Sequence, residues 1–172
     1  MRHFPLGSRR ERSRGQALAE FALVFPIAML LFMAMFDFGR AVYGLNAVGN
    51  AAREGVRTAM VNQNWADIRG RAAAQAQALG MDSSLVACSA SNVPTTATGV
   101  CVRIDGPDGT VGGCVDAQGN AIIAYGCVAE VTTKWTFTAI TPFVSAFVGQ
   151  KAFTSTSKQP IESVCSGSCP TR

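Results

Sequence analysis

The sequence predicts an α+β fold: a long N-terminal helix, a second short helix and a small antiparallel sheet stapled by disulfides. Three observations carry this expectation. An apolar run of membrane length, residues 17–36, follows a basic tail and holds Glu20 as its single charge. Helical periodicity gives way near Val100 to runs of β-branched and aromatic residues. Six cysteines follow the apolar run and none precedes it.

The helix comes first. Twenty helical residues span about 30 Å, the thickness of a bilayer's hydrocarbon core. The composition agrees, at 48% hydrophobic and 15% charged residues. Arg2, Arg9, Arg10, Arg12 and Arg14 stand before the run against Glu11, a local charge of +4 that accounts for the whole net charge of +4. Beyond residue 15 the ten remaining basic side chains balance ten acidic ones. Basicity confined to a short tail is a topology signal and not a nucleic-acid surface. The positive-inside rule places the N-terminus in the cytoplasm and residues 37–172 outside, in a single-pass arrangement in contact with membrane lipid. A cleaved secretory signal would end its apolar run in small residues, whereas Met33-Ala34-Met35-Phe36-Asp37 follows here. Pro26 is tolerated inside a membrane helix.

Helix-compatible sequence continues to about Met60. Leu45, Val48, Ala52, Val56 and Ala59 fall at three- and four-residue steps and form an apolar stripe. Gly39, Gly44, Gly49 and Gly55 weaken a solitary helix and are expected to admit the backbone of another helix. A second helix is expected over residues 65–79, with Asn64 as N-cap, Gly80 as stop, and Trp65, Ile68, Ala72, Ala76 and Leu79 on one face. Residues 83–99 read as a polar loop. Strands are expected at residues 100–104, 121–125, 128–137 and 151–157, with a turn at Asp105-Gly106-Pro107-Asp108-Gly109. Thr141-Pro142 opens a connection before the last strand, and residues 158–172 form a tail.

The cysteines, Cys88, Cys101, Cys114, Cys127, Cys165 and Cys169, lie on the exported side, so all six are expected to be oxidised. Six cysteines allow fifteen pairings, which spacing alone does not resolve. Zinc is disfavoured because no C-x-x-C pair exists and no histidine follows His3. Neither a metal nor another cofactor is expected, and no catalytic residues are assigned. The chain has no G-x-S-x-G, no phosphate-binding glycine loop and no evident carboxylate pair, so it does not read as an enzyme. The aspartates of the 105–109 turn do not have the spacing of a calcium loop.

Glu20 has a bland explanation, since a carboxylate in a first helical turn is favoured by the helix dipole. Its setting points further. Gly15 follows the basic leader, Glu20 is the fifth residue after it and Phe21 the sixth. A cut between Gly15 and Gln16 creates a positive amine one helical turn from Glu20, and side chains four apart face each other. This pattern resembles type IV pilin-like precursors, and G-x-x-x-x-E-F resembles the form used by tight-adherence (Flp) pilus systems. Residues 14–59 resemble the TadE-like family of minor pseudopilins through Gly15, Glu20, Phe21, Pro26, Asp37-Phe38-Gly39-Arg40 and Asn50-Ala51-Ala52-Arg53-Glu54-Gly55.

That resemblance implies a non-catalytic subunit acting in pilus assembly, cut by a prepilin peptidase between Gly15 and Gln16, with Glu20 and Phe21 serving recognition and assembly. Its implied partners are that peptidase, other pilin or pseudopilin subunits, and inner-membrane assembly proteins. The chain then divides into a cleaved leader (1–15), a transmembrane and extended helix (16–62) and an extracytoplasmic α+β domain (63–172). The competing expectation is an uncleaved single-pass anchor presenting a disulfide-linked binding domain.

Overall fold

The computed structural model describes residues 9–62, 64–83, 98–120 and 122–162, with side chains from Gly15 onward. The long helix, α1, runs Arg9–Ala59 over 51 residues and contains Pro26 without ending there. It begins earlier than the expected residue 16, within the basic tail, because arginine and glutamate are good helix formers and no breaker separates them from Gly15.

The second helix, α2 (Trp65–Gln75), starts as its sequence dictates. The Asn64 side-chain oxygen accepts the Ala66 N–H at 2.9 Å, which satisfies one orphan donor of the first turn. The expected helix to Leu79 instead tightens into a single 3₁₀ turn, Gln77–Leu79, and stops at Gly80 with φ 71°. Only glycine adopts that left-handed conformation without penalty.

Three strands, β1 (Gly99–Asp105), β2 (Val128–Thr138) and β3 (Gln150–Pro160), form an antiparallel sheet in that order among the described residues. Val102 stands opposite Val131, and Val131 opposite Ser157. The turn after β1 forms as expected, with the Gly109 N–H bonded to the Gly106 carbonyl. Two expectations fail in this region. Residues 122–124 are not a strand. They lie inside the loop closed by the Cys114–Cys127 disulfide, where the Ile122 N–H bonds to the Cys114 carbonyl and Ile123 is buried in the core. Their apolar character fills the core and does not extend the sheet. Lys158 lies in β3, opposite Glu130, and not in a tail, because the cross-strand ion pair prolongs the ladder.

The connection between β2 and β3 holds an unexpected helix, α3 (Pro142–Val148). Proline at its start has the right φ and needs no N–H partner. Gly149 ends it with φ 61°.

The core lies between one side of α1, α2 and one face of the sheet. Val48, Val56, Ile68, Ile104 and Val131 are at most 3% exposed. The stripe read from α1 is buried at Val48, Ala52, Val56 and Ala59, but Leu45 is exposed. The buried side instead turns toward Gly44, Ala47 and Ala51, since α1 is flanked by both the sheet and α2. Its glycines were expected to receive another helix. Gly44 instead receives Trp135, and a Cβ there would lie 2.0 Å from the indole. Gly55 receives Val131 of the sheet and also Ala72 of α2, with a Cβ falling 2.8 and 3.0 Å from them. Gly39 faces open space.

α1 runs antiparallel to β2. Gly55 meets Val131, the Val48 carbonyl accepts the Thr133 hydroxyl at 2.7 Å, Gly44 meets Trp135, and Arg40 lies over the Phe137 ring. The match works because the two rises are commensurate over this stretch. Residues 37 to 55 of a helix advance about 27 Å, and residues 140 to 131 of a strand about 30 Å.

Candidate functional site: the exposed half of the long helix

The N-terminal half of α1 has no such cover. Leu18, Phe21, Leu23, Leu31, Phe32, Met35, Phe36 and Phe38 are all more than half exposed, and Met35 and Phe36 reach 73%. The helix residues Gly15–Ala59 include a stretch of mean hydropathy 2.2, none of it buried. Monomeric soluble proteins rarely expose a contiguous apolar surface of this extent. By length and composition this helix fits a single-pass membrane anchor.

The residues singled out in the sequence sit at its start. Gly15, Gln16, Glu20 and Phe21 are exposed. Gln16 and Glu20 share a face, and the Gln16 amide donates to Glu20 Oε1 at 3.2 Å. Phe21 packs its ring against Phe25, centroids 5.3 Å apart. The helix passes unbroken through the Gly15–Gln16 bond. Gly15 lowers the cost of opening the helix there, by about 1 kcal/mol relative to alanine.

Where the apolar run ends, Asp37 joins it to the domain. Asp37 is 3% exposed, and its carboxylate accepts the N–H of Ile140 and of Thr141, each at 2.9 Å. Arg40, one turn on, lies 3.5 Å from the same carboxylate and 5.8 Å from the Phe137 centroid. A charged acceptor for two backbone donors contributes more than a neutral one, about 1.5–3 kcal/mol per bond. The exposed half of α1 is therefore joined to the sheet through α1's packed half and through this contact.

The TadE-like protein family model matches residues 15–57. Over these residues, a quarter of the chain, the sequence is similar to that family. Comparison with curated proteins and with solved structures finds no match. The TadE-like segment takes in the exposed apolar half, Asp37 and most of the packed half. The match ends two residues before α1 does, and α2 and the sheet lie beyond it.

Outside the TadE-like segment the cysteines are placed only in part. Cys114 and Cys127 are bonded to each other, with Cα atoms 6.1 Å apart, and Cys101 is also disulfide-bonded. Cys88, Cys165 and Cys169 lie outside the described residues, as does most of the expected 83–99 loop. Among the described residues no group of three His, Cys, Asp or Glu side chains is placed to hold a metal.

Sequence reading missed an ion network across all three strands. Arg103 binds Asp105 through Nε at 2.8 Å and also Glu130, and Lys158 reaches Glu130 at 2.6 Å and Asp105 at 3.7 Å. Burial opposes charge on Asp105, but the Arg103 guanidinium and the Gly112 N–H outweigh it and hold the carboxyl below its usual range. The hydrogen bond to Glu130 raises Lys158. Two carboxylates facing two cations form a clamp across the three strands.

Asp37 also escaped assignment, although it belongs to a recognised block. The available signal was local: a carboxylate placed directly after an apolar run, with an arginine three residues on.

Proposed function

We propose that this chain is a non-catalytic, pilin-like subunit acting in the assembly of a tight-adherence pilus. A prepilin peptidase removes the leader between Gly15 and Gln16. The freed apolar helix then sits in the cytoplasmic membrane, domain outside, and packs against other pilin or pseudopilin subunits and inner-membrane assembly proteins. The observation that carries this reading is a membrane-length apolar half-helix, none of it buried, with Glu20 one turn from Gln16. After cleavage, the new amine of Gln16 lies within reach of Glu20 of its own or a neighbouring helix. In a low-dielectric assembly such a pair fixes axial register.

A second reading, an uncleaved anchor presenting the domain, draws on the helix passing unbroken through Gly15–Gln16. Intact mass of the membrane-extracted protein separates the two. The first reading requires a mature species beginning at Gln16, with or without cyclisation of the glutamine, and Gly15→Leu should leave the leader attached. A wild-type mass that includes residues 1–15 would establish the uncleaved anchor.

A further inference from the structure

We infer that the α3 segment, residues 140–148, is a second membrane contact whose apolar side chains enter the acyl boundary of the outer leaflet beside α1. This rests on the reading that the exposed half of α1 spans the bilayer.

The first support is the outward face of α3. Ile140, Phe143 and Phe147 are 69%, 60% and 78% exposed, and the two rings lie 5.0 Å apart. Phe143 and Phe147 are one helical turn apart and so share one side of α3, and Ile140 immediately precedes its N-cap, Thr141. Val144, on the other side, packs against the core. A surface helix of a water-soluble domain turns polar residues outward, whereas α3 is apolar on both sides. No charged residue occurs between Lys134 and Lys151, whereas the connection at the opposite end of the sheet carries Asp108 and Asp116.

The second support is position. Ile140 and Pro142 flank a groove of about 450 Å³ whose other wall is Pro26, Met29, Leu30 and Met33 of α1. Met33 lies about 6 Å and Met29 about 12 Å along the axis from Asp37, toward the middle of the apolar run. The segment is thus level with the last turns of the apolar run, and its exposed surface is continuous with that of the spanning helix. Interfacial helices bury their apolar face to a comparable depth, about 5–10 Å.

The third support is polar satisfaction. Backbone donors entering an acyl boundary need partners. Asp37 accepts two of them, from Ile140 and Thr141, and Arg40 lies beside its charge. Asp37 therefore holds the segment at membrane level while removing two bare N–H groups from contact with lipid.

The test uses the full chain in vesicles of phosphatidylethanolamine and phosphatidylglycerol. The photoreactive residue p-benzoylphenylalanine replaces Phe147, Leu31 or Tyr125 in separate preparations. Leu31 reports the spanning helix, and Tyr125, exposed at the far end of the sheet, reports water. The expected result is a lipid mass adduct at positions 147 and 31 and none at 125. Lipid adducts at 31 with none at 147 would overturn the inference and leave the membrane reading intact. A protein–protein cross-link at 147 in place of lipid would assign this face to a second subunit, which also overturns it. No lipid adduct at 31 would remove the membrane reading and the inference together.

Discussion

The two halves of α1 are both apolar, but they differ in residue size, and that difference decides what each can do. Residues 44–59 include Gly44, Gly49, Gly55, Ala47, Ala51, Ala52 and Ala59. Small residues let a sheet and a second helix approach, so this half completes its packing within the chain. Residues 17–36 carry Leu, Phe, Met, Val and Ile on every side. Such a surface cannot be covered by one small domain, and it is left for lipid or for other helices. One helix thus serves as a core element at one end and as an unsatisfied apolar rod at the other.

Breaking the packed half should have the largest effect. In Gly44→Ala the new methyl would sit 2.0 Å from Trp135, and neither the helix nor the indole can retreat cheaply. We expect a loss of about 3 kcal/mol. Gly39→Ala, five residues earlier, meets nothing within 4 Å. It should be neutral or gain up to about 1 kcal/mol from helix propensity. Thermal unfolding of the detergent-solubilised chain, followed by circular dichroism, compares the two directly. Equal melting temperatures would mean that Gly44 is not a contact position.

The next effect belongs to the junction between the halves. Asp37→Ala removes the acceptor of one buried and one part-buried backbone donor, with an expected cost of about 2–3 kcal/mol. Asp37→Asn keeps one good acceptor and should cost about half as much. Amide hydrogen exchange gives a local readout, since Ile140 and Thr141, just beyond β2, should lose protection in the alanine variant before the amides of β2. Unchanged exchange at those two amides would refute the contact.

A smaller effect, away from α1, comes from the ion network on the sheet. Asp105 is held below its usual range, so the folded state keeps its charge better than the unfolded chain does. That contribution is present above the unfolded carboxylate value of about 3.9 and is lost as pH falls through the folded value. Lys158, shifted up, contributes below its unfolded value of about 10.4 and loses that contribution as pH rises through the folded one. Stability should therefore be level through neutral pH and fall at both extremes. Asp105→Asn should flatten the acid limb of a urea-midpoint profile. An acid limb of unchanged steepness would show that other carboxylates govern it.

These contrasts also mark what was legible in the sequence. α1, the Asn64 cap, the Gly80 stop and the three paired strands were readable because each depends on neighbours within a few residues. Ile122 and Ile123 misled because β-branched residues fill a core as readily as they extend a sheet, and the closure of Cys114 on Cys127 decided between these. Lys158 reads as tail from sequence because its partner, Glu130, is 28 residues away. For Gly44 and Gly55 the need for close approach was readable, but not that Trp135 and Val131 would be the ones to approach. α3 carried only a Thr-Pro as its signal, and its apolar exposed face has meaning only beside α1. At the candidate site, the one-turn relation of Gln16 to Glu20 followed from spacing alone. The role of Asp37 did not, because its partners are more than 100 residues distant.

The smallest effect on stability, and the sharpest on function, is expected at Glu20. Its side chain is exposed and accepts a hydrogen bond from Gln16. Glu20→Ala should leave the melting temperature within experimental error. Membrane insertion should be unchanged or slightly easier, since a carboxylate near the hydrocarbon is costly. The proposed cleavage junction precedes this residue, so leader removal should continue at least in part. Association with other pilus subunits should nevertheless fall, because the partner for the new amine of Gln16 is gone. Glu20→Asp separates charge from reach: the charge stays but the side chain is one methylene shorter. Weak assembly of the aspartate variant would assign the effect to geometry, and normal assembly would assign it to charge. Co-purification of subunits after mild detergent extraction measures this, with mass spectrometry confirming the processed N-terminus. If Glu20→Ala assembles as well as the wild type, the carboxylate is only a first-turn helix residue, and its proposed pairing with the mature amine is wrong.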